Sequence, residues 1–188
     1  DGSVSKSSLR FRDARLEVLE IYRDLVKKSF GFDGKITEVK GKNCHQLGVN
    51  SVHLSELFMQ LRKNIFSYIS KSTDEHVRAF IRGFMDAEGH VSKRRARITI
   101  GQKNKLTLQY IQMLLLRLGV RSHLRKSPRK DGRIFYTLLF DNKDMLKFGE
   151  EIGVSASDKK DVLNMWVNKV RSSFNKDLVP INRALVWQ

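Results

Sequence analysis

The pattern that most restricts the fold of this chain is written in it twice. Asp1-Gly2-Ser3-Val4-Ser5-Lys6 and Glu88-Gly89-His90-Val91-Ser92-Lys93 share an acid, a glycine, one variable residue and then Val-Ser-Lys. Each is followed by a stretch in which apolar residues alternate with polar ones or Gly, Leu9 to Asp13 and Ile98 to Gln102, as a half-buried strand requires. Helical stretches come next, Leu16 to Phe30 and Leu106 to Leu118, stopped at Gly31 and Gly119. Hairpin candidates then turn near Lys40-Gly41-Lys42-Asn43 and over Ser127 to Gly132. Each hairpin leads into a short helix, near Ser51 to Lys63 and Asn142 to Ile152. The order acid-Gly, β, α, β-hairpin, α therefore occurs twice, which predicts an α+β chain of two pseudo-symmetric units. A last helix, Ser157 to Phe174, carries Leu163, Trp166, Val167, Val170 and Phe174 on one face. The expected division is 1–70 for the first repeat, 71–174 for the second with its closing helix, and 175–188 for a loose extension.

The helix leading to the second acid is unusual. Ser72-Thr73-Asp74-Glu75 reads as a capping box with Ser72 as N-cap. Val77, Phe80, Ile81, Phe84 and Met85 make an apolar stripe, while Ala79, Gly83 and Ala87 recur every four residues and would let another backbone come close. Gly89 is expected to end the helix in a left-handed conformation. Glu88 then sits at the helix C-terminus, where the dipole disfavours an anion and a bound cation would offset that cost. Asp86, one turn from the helix end, is expected to serve packing or capping.

Charge narrows the partner. The 188 residues carry a formal net charge of +16, and 40% are hydrophobic, enough for a real core. From His90 to Tyr136 thirteen Lys and Arg face one acid, Asp131, and they are interleaved with apolar positions. That pattern indicates a folded cationic surface and a polyanionic partner. The five histidines are scattered and the single cysteine, Cys44, has no partner within the chain, so zinc-finger spacing is absent and a reducing, intracellular compartment is expected. No apolar run approaches membrane-spanning length.

At this point the stretch Ile81-Arg82-Gly83-Phe84-Met85-Asp86-Ala87-Glu88-Gly89 resembles the motif of the LAGLIDADG homing endonucleases. Gly83, Asp86, Ala87 and Gly89 match letter for letter, and Glu88 stands where that motif has Asp. The resemblance runs to about residue 174 and implies αββαββα-type repeats. Each would lay a curved antiparallel sheet into DNA as a saddle, with the motif helices packed at the centre. It further implies that Asp1 and Glu88 hold divalent metal. The first motif survives only as Asp1-Gly2, so the natural protein is expected to continue upstream of Asp1.

Other positions take roles from the same resemblance. Gln102 falls where the family often has a polar group near the scissile phosphates, and Asp13 holds the equivalent place in the first repeat, so the two halves are unequal. Lys103 and Lys126 are candidates for stabilising the transition state. Arg10, Arg12, Lys35, Arg95, Arg97, Thr99, Arg125, Arg129, Lys130 and Arg133 are expected to contact DNA, with Arg95, Arg97 and Thr99 on one face of a strand and Ala96, Ile98 and Ile100 on the other. The implied activity is Mg²⁺-dependent hydrolysis of both strands of a long asymmetric site by a monomer encoded in a mobile intron or intein. Mn²⁺ should substitute and Ca²⁺ should support binding only. The alternatives are an intron RNA maturase and a catalytically inactive DNA-binding protein on the same fold.

Overall fold

The computed structural model describes residues 2–128 and 134–173, with side chains to residue 169. Its elements run β1 (Gly2–Val4), β2 (Ser8–Asp13), α1 (Leu16–Phe30), β3 (Lys35–Glu38), β4 (His45–Asn50), α2 (Val52–Ser70), α3 (Asp74–Glu88), β5 (Gly89–Val91), β6 (Arg97–Gln102), α4 (Lys105–Arg117), β7 (His123–Pro128), β8 (Ile134–Asp141), α5 (Asn142–Glu151) and α6 (Ser157–Ser173). Two four-stranded antiparallel sheets form, in the orders β1-β2-β4-β3 and β5-β6-β8-β7. The duplicated sequence has become a duplicated topology. Even the register repeats: Asp13 lies opposite His45 and His45 opposite Glu38, as Gln102 lies opposite Tyr136 and Tyr136 opposite Lys126.

Strand alternation decides what each sheet face carries. In the first sheet Leu9, Leu47 and Val49 point inward onto Leu19, Val26 and Leu54 of the helices. In the second, Ile98, Ile100, Leu138 and Phe140 pack on Val77, Ile81, Met85, Leu108, Ile111, Leu115 and Phe148. Val77, Ile81 and Met85 are wholly buried, each stabilising the fold by about 1.5–3 kcal/mol. The second core is much the larger because α3 to α6 and the last turns of α2 contribute to it. Beside the first sheet an apolar cleft of about 300 Å³ remains, lined by Val4, Phe11, Phe58, Leu61 and Ile65.

α1 spans the residues its periodicity predicts, and Gly31 and Gly119 both have positive φ, 75° and 73°, at the helix ends where they were expected. The hairpin turn at 40–43 also falls in place, with Gly41 left-handed. The second hairpin's turn is outside the described residues, as are Val170 and Phe174 as side chains and the extension 175–188.

Three expectations are corrected. The helix beginning after Ser51 does not stop at Lys63: Asn64 leaves helical geometry (φ −125°, ψ 16°) and the chain resumes as helix to Ser70. Before the kink Phe58 packs with the first core, and after it Phe66 packs on Phe80 and stacks on Tyr110 at 4.6 Å. One kinked helix thus joins the two repeats. Ser72 is not the N-cap of α3. Its hydroxyl donates to the Tyr68 carbonyl and finishes α2, leaving Thr73 at the cap position with its own hydroxyl 3.0 Å from His76 Nδ1. Gly89 is not left-handed. It is extended (φ −86°, ψ 155°), because the chain passes straight from α3 into β5. Glycine is required there for space: a Cβ would lie 2.6 Å from the Met85 carbonyl and collide with the Met85 thioether.

The small-residue stripe of α3 has open space beside it. Nothing among the described residues lies within 4 Å of a Cβ built on Gly83, and Ala79 and Ala87 are exposed. α3 is held from its other sides. Arg82 donates to the Ile152 carbonyl at 2.8 Å and Arg78 pairs with Glu151 at 2.9 Å.

The decisive anchor is Asp86, 2% exposed, whose carboxylate accepts the backbone N–H groups of Ser155 (2.9 Å) and Ala156 (3.2 Å) just before α6. It caps a helix 70 residues away, and the positive end of α6 accommodates the charge. Asp86→Ala would leave those N–H groups without a partner in a buried place. It is expected to lower stability by about 1–3 kcal/mol, read by chemical denaturation. The exposed Asp161→Ala on the same helix should change stability by no more than about 0.5 kcal/mol.

Candidate active site

The end of α3 meets the first sheet across a cavity of about 340 Å³. It is lined by Gly2, Phe11, Arg12, Asp13, Tyr22, Ala87 and Glu88. Residues from both repeats therefore face one space. Glu88 arrives there because it is the last residue of α3, and Asp13 because it ends β2 on the same strand face as Leu9 and Phe11. Gly2 is part of the same wall, and Asp1, the residue before it, lies outside the described residues.

Three helix ends meet around Arg15, which is bonded to Asp13 of the cavity wall. Lys159, in the first turn of α6, donates to the carbonyls of Met85 (3.0 Å) and Asp86 (2.6 Å). α3 caps the start of α6 through Asp86, and α6 answers by binding the end of α3 through Lys159. Glu17 in the first turn of α1 accepts from both the backbone N–H (3.1 Å) and hydroxyl (2.7 Å) of Ser157. Arg15 reaches all three elements: its guanidinium donates to Asp13, to Asp158 at 3.1 Å and to the Asp86 carbonyl at 3.1 Å.

Protonation follows from these contacts. The Arg15 side chain holds Asp13 below the usual aspartate range, against the opposing effect of burial. Asp13 in turn, with Asp158, raises Arg15 despite its partial burial. Burial lowers Lys159, as does nearby Arg15, while Asp86, Asp158 and Asp13 pull the other way. Burial first, then the charges of Asp86 and Asp13, raise the Tyr22 phenol, which stays protonated at neutral pH.

For a divalent metal the donor chemistry fits at one point and is partial elsewhere. Glu88 is exposed to the cavity and pairs with no cation among the described residues, so it offers the hard oxygens such an ion prefers. Asp13 is the other carboxylate on the wall, and Arg15 occupies both its oxygens. Among the described residues no group of three His, Cys, Asp or Glu converges as a metal site.

The remaining candidates fall into two sets. Gln102 ends β6 and stands in one cross-strand row with Tyr136 and Lys126. Lys103 is exposed in the link to α4. On the faces turned away from the helices lie Arg10, Arg12 and Lys35 in the first sheet and Arg97, Thr99 and Arg125 in the second. Two of these are already engaged: Arg12 Nε donates to Gln46 at 2.7 Å, and Arg97 pairs with Asp141 at 2.7 Å. Arg95 is not on the strand. β6 begins at Arg97, and Arg95 is exposed in the bend before it. Arg129, Lys130 and Arg133 are outside the described residues. Sequence reasoning missed Arg15, Glu17, Asp158 and Lys159, whose partners lie 71 to 143 residues away apart from Asp13.

Residues 75–153 match the family model of the LAGLIDADG-like domain. The chain's second repeat therefore carries a LAGLIDADG-like domain. That model covers the second repeat, and the first has the same strand order. The structure of I-DmoI in complex with DNA and Ca superposes with a TM-score of 0.67 at 21% identity, covering 87% of this chain and 90% of that one. Among curated proteins, the glutamine–fructose-6-phosphate aminotransferase of Methanocaldococcus jannaschii is 31% identical over 95% of this chain. A component of the A-type ATP synthase of Methanopyrus kandleri is 29% identical over 92%. The chain spans only 17% of the length of either.

The Asp13–Arg15 pair gives the site a pH signature. The folded pKa of Asp13 lies below its unfolded value of about 3.9, so the pair contributes stability above about pH 5 and loses it as pH falls through the depressed folded value. The stability difference between parent and Asp13→Asn, from denaturation between about pH 3 and pH 7, is expected to be greatest near neutrality and to shrink toward acid.

Proposed function

We propose that this chain is a site-specific endonuclease that hydrolyses both strands of a long, asymmetric double-stranded DNA target with a divalent metal ion. The observation that carries this reading is Glu88, a carboxylate with no cation partner among the described residues, in a cavity shared by both repeats, between two sheets whose outer faces bear cationic side chains. The net charge of +16 and the I-DmoI structures, described as complexes with DNA and Mn or Ca, support it. Fold alone would leave cleavage and plain binding equal. An acid at this point with no cation partner among the described residues favours cleavage over a maturase or an inactive DNA-binding protein.

In this reading the sheet faces track the grooves. Arg10, Arg12, Lys35 and Arg125 meet phosphates or base edges, and Glu88, with Asp1, holds the metal. A Mg²⁺ ion there would supply Lewis-acid stabilisation of the scissile phosphate and an acidified water. Arg12 and Tyr22 border the space into which that phosphate would enter, and Gln102 and Lys126 stand ready at the end of the second sheet.

The relatives bear on the host. An aminotransferase and an ATP synthase component have no chemistry in common, yet each carries this segment as about a sixth of its length. A segment shared by unrelated hosts behaves as an in-frame insertion. We therefore favour an intein over an intron as the mobile element that encodes the chain.

Glu88→Gln is expected to bind the target, selected from a randomised-site library, within about threefold of the parent and to lose double-strand cleavage. A gel shift paired with plasmid cleavage reads both, and full cleavage by the variant would refute the assignment. Binding should also weaken steeply with salt. With roughly 8 phosphates contacted, log K should fall against log salt with a slope of about −7. A slope shallower than about −2 would contradict an extended DNA interface. Complexes formed in Ca²⁺ should stay uncut until Mg²⁺ is added, because the looser coordination of Ca²⁺ places water poorly. Equal cleavage in the two ions, or cleavage in EDTA, would refute the metal-dependent mechanism.

A further inference from the structure

The two repeats place very different residues at one equivalent position. Asn104 precedes α4 and caps it, its side-chain oxygen accepting from Leu106 N–H at 2.9 Å and Thr107 N–H at 3.4 Å. With Asp13 equivalent to Gln102, the matching residue before α1 is Arg15. It makes no side-chain cap, and a cation at the positive end of a helix is unfavourable. Its own backbone N–H is instead taken by Asp13, at 2.9 Å. A residue that gives up a cap and accepts a poor electrostatic place needs compensation, and Arg15 finds it at the site.

Its contacts join the cavity wall, the end of α3 and the start of α6. Nε and Nη2 grip the two oxygens of Asp13 at 2.9 and 3.0 Å. Nη2 also donates to the carbonyl of Asp86, two residues before Glu88 in the last turn of α3. Nη1 holds Asp158 in the first turn of α6, next to Lys159. Two consequences follow. Asp13 shares a cavity wall with Glu88, and a free carboxylate there would compete as an oxygen ligand for any hard cation drawn in. The turn that presents Glu88 is also tied from outside its own helix.

We propose that Arg15 is a positioning residue of the cleavage site: it keeps the Asp13 carboxylate out of the metal's ligand set and fixes the helix end that presents Glu88. The proposal rests on the endonuclease reading, so its test includes a measurement that needs no cleavage. Tb³⁺ is a hard, oxygen-seeking probe, and Tyr22 on the cavity wall can sensitise its luminescence. Titrations of the DNA-free protein compare the parent with Asp13→Asn, Arg12→Ala, Arg15→Ala and the double variant Arg15→Ala/Asp13→Asn.

Asp13→Asn should bind Tb³⁺ within about twofold of the parent, because Asp13 is already occupied. Arg15→Ala should bind at least about fivefold more tightly, and the double variant should return to about the parental value. Arg12→Ala removes a cation from the same wall while leaving Asp13 gripped, and should change affinity by less than about twofold. Weaker binding by Asp13→Asn would make Asp13 a ligand in the parent and overturn the proposal, whether or not any Arg15 variant folds. Equal tightening by Arg12→Ala and Arg15→Ala would also overturn it, as a general charge effect. In single-turnover cleavage with Mg²⁺, Arg15→Ala should be at least about tenfold slower, with DNA affinity within about threefold, and the double variant should recover part of the rate. Parental cleavage matched by Arg15→Ala defeats the proposal alone. A parent that cuts no selected target, with the Tb³⁺ pattern as expected, defeats the endonuclease reading and leaves the masking of Asp13 standing.

Discussion

A buried carboxylate at the end of one helix, bound to the start of another, is the constraint on which the rest of this molecule depends. Asp86 is nearly inaccessible and ionisable, a combination that proteins tolerate only when the charge is matched. Here the match comes from the backbone N–H groups of Ser155 and Ala156 and from the positive end of α6. Lys159 completes the exchange by binding the last carbonyls of α3. The Ser155 and Ala156 N–H groups and the Asp86 carbonyl, backbone groups at two helix ends, are thus satisfied by side chains of the opposite helix. Because Glu88 sits two residues past Asp86, the same contacts that hold the second repeat together also place the candidate metal ligand. Stability and site geometry are one problem in this fold.

Much of the architecture was legible because it rests on local rules. α1 follows from the spacing of its apolar residues and from Gly31, which has the positive φ expected of a helix stop. The registers of β2 with β4 and of β6 with β8 follow from alternation, since a slip by one residue would turn Leu9 and Ile98 to solvent. Where local rules competed, tertiary packing decided. Ser72 could cap α3 or finish α2, and finishing α2 puts its hydroxyl on the Tyr68 carbonyl. Gly89 could turn left-handed or run on, and the pairing of β5 with β6 pulls it extended. Asn64 bends rather than ends its helix because Phe66, two residues on, has an aromatic platform in the second core.

The site was legible in part for the same reason. Glu88 and Asp13 could be placed because each ends a regular element whose phase is set by its apolar residues. Arg15, Lys159 and Asp158 could not, because nothing in the sequence near them announces a partner. Lys159 reads as one of several surface cations on an acidic–basic helix start, and only the folded chain shows it on the end of α3. Arg97 shows the converse. It reads as a free cation on a strand, and the register of β6 with β8 delivers Asp141 to it.

The symmetry of the scaffold makes the asymmetry of the site meaningful. Sheet order and register repeat, so residues at equivalent positions of the two repeats can be compared directly. At the end of the first sheet the cross-strand row is Asp13, His45 and Glu38; at the end of the second it is Gln102, Tyr136 and Lys126. The first row holds two carboxylates and the second a cation. A molecule bound across both sheets would meet a different electrostatic field on each side of Glu88. Arg15 on the first side offsets the charge of Asp13, and the second side has no acid to offset. The duplicated fold therefore supplies the frame, and a few unequal side chains at its seam give that frame a direction.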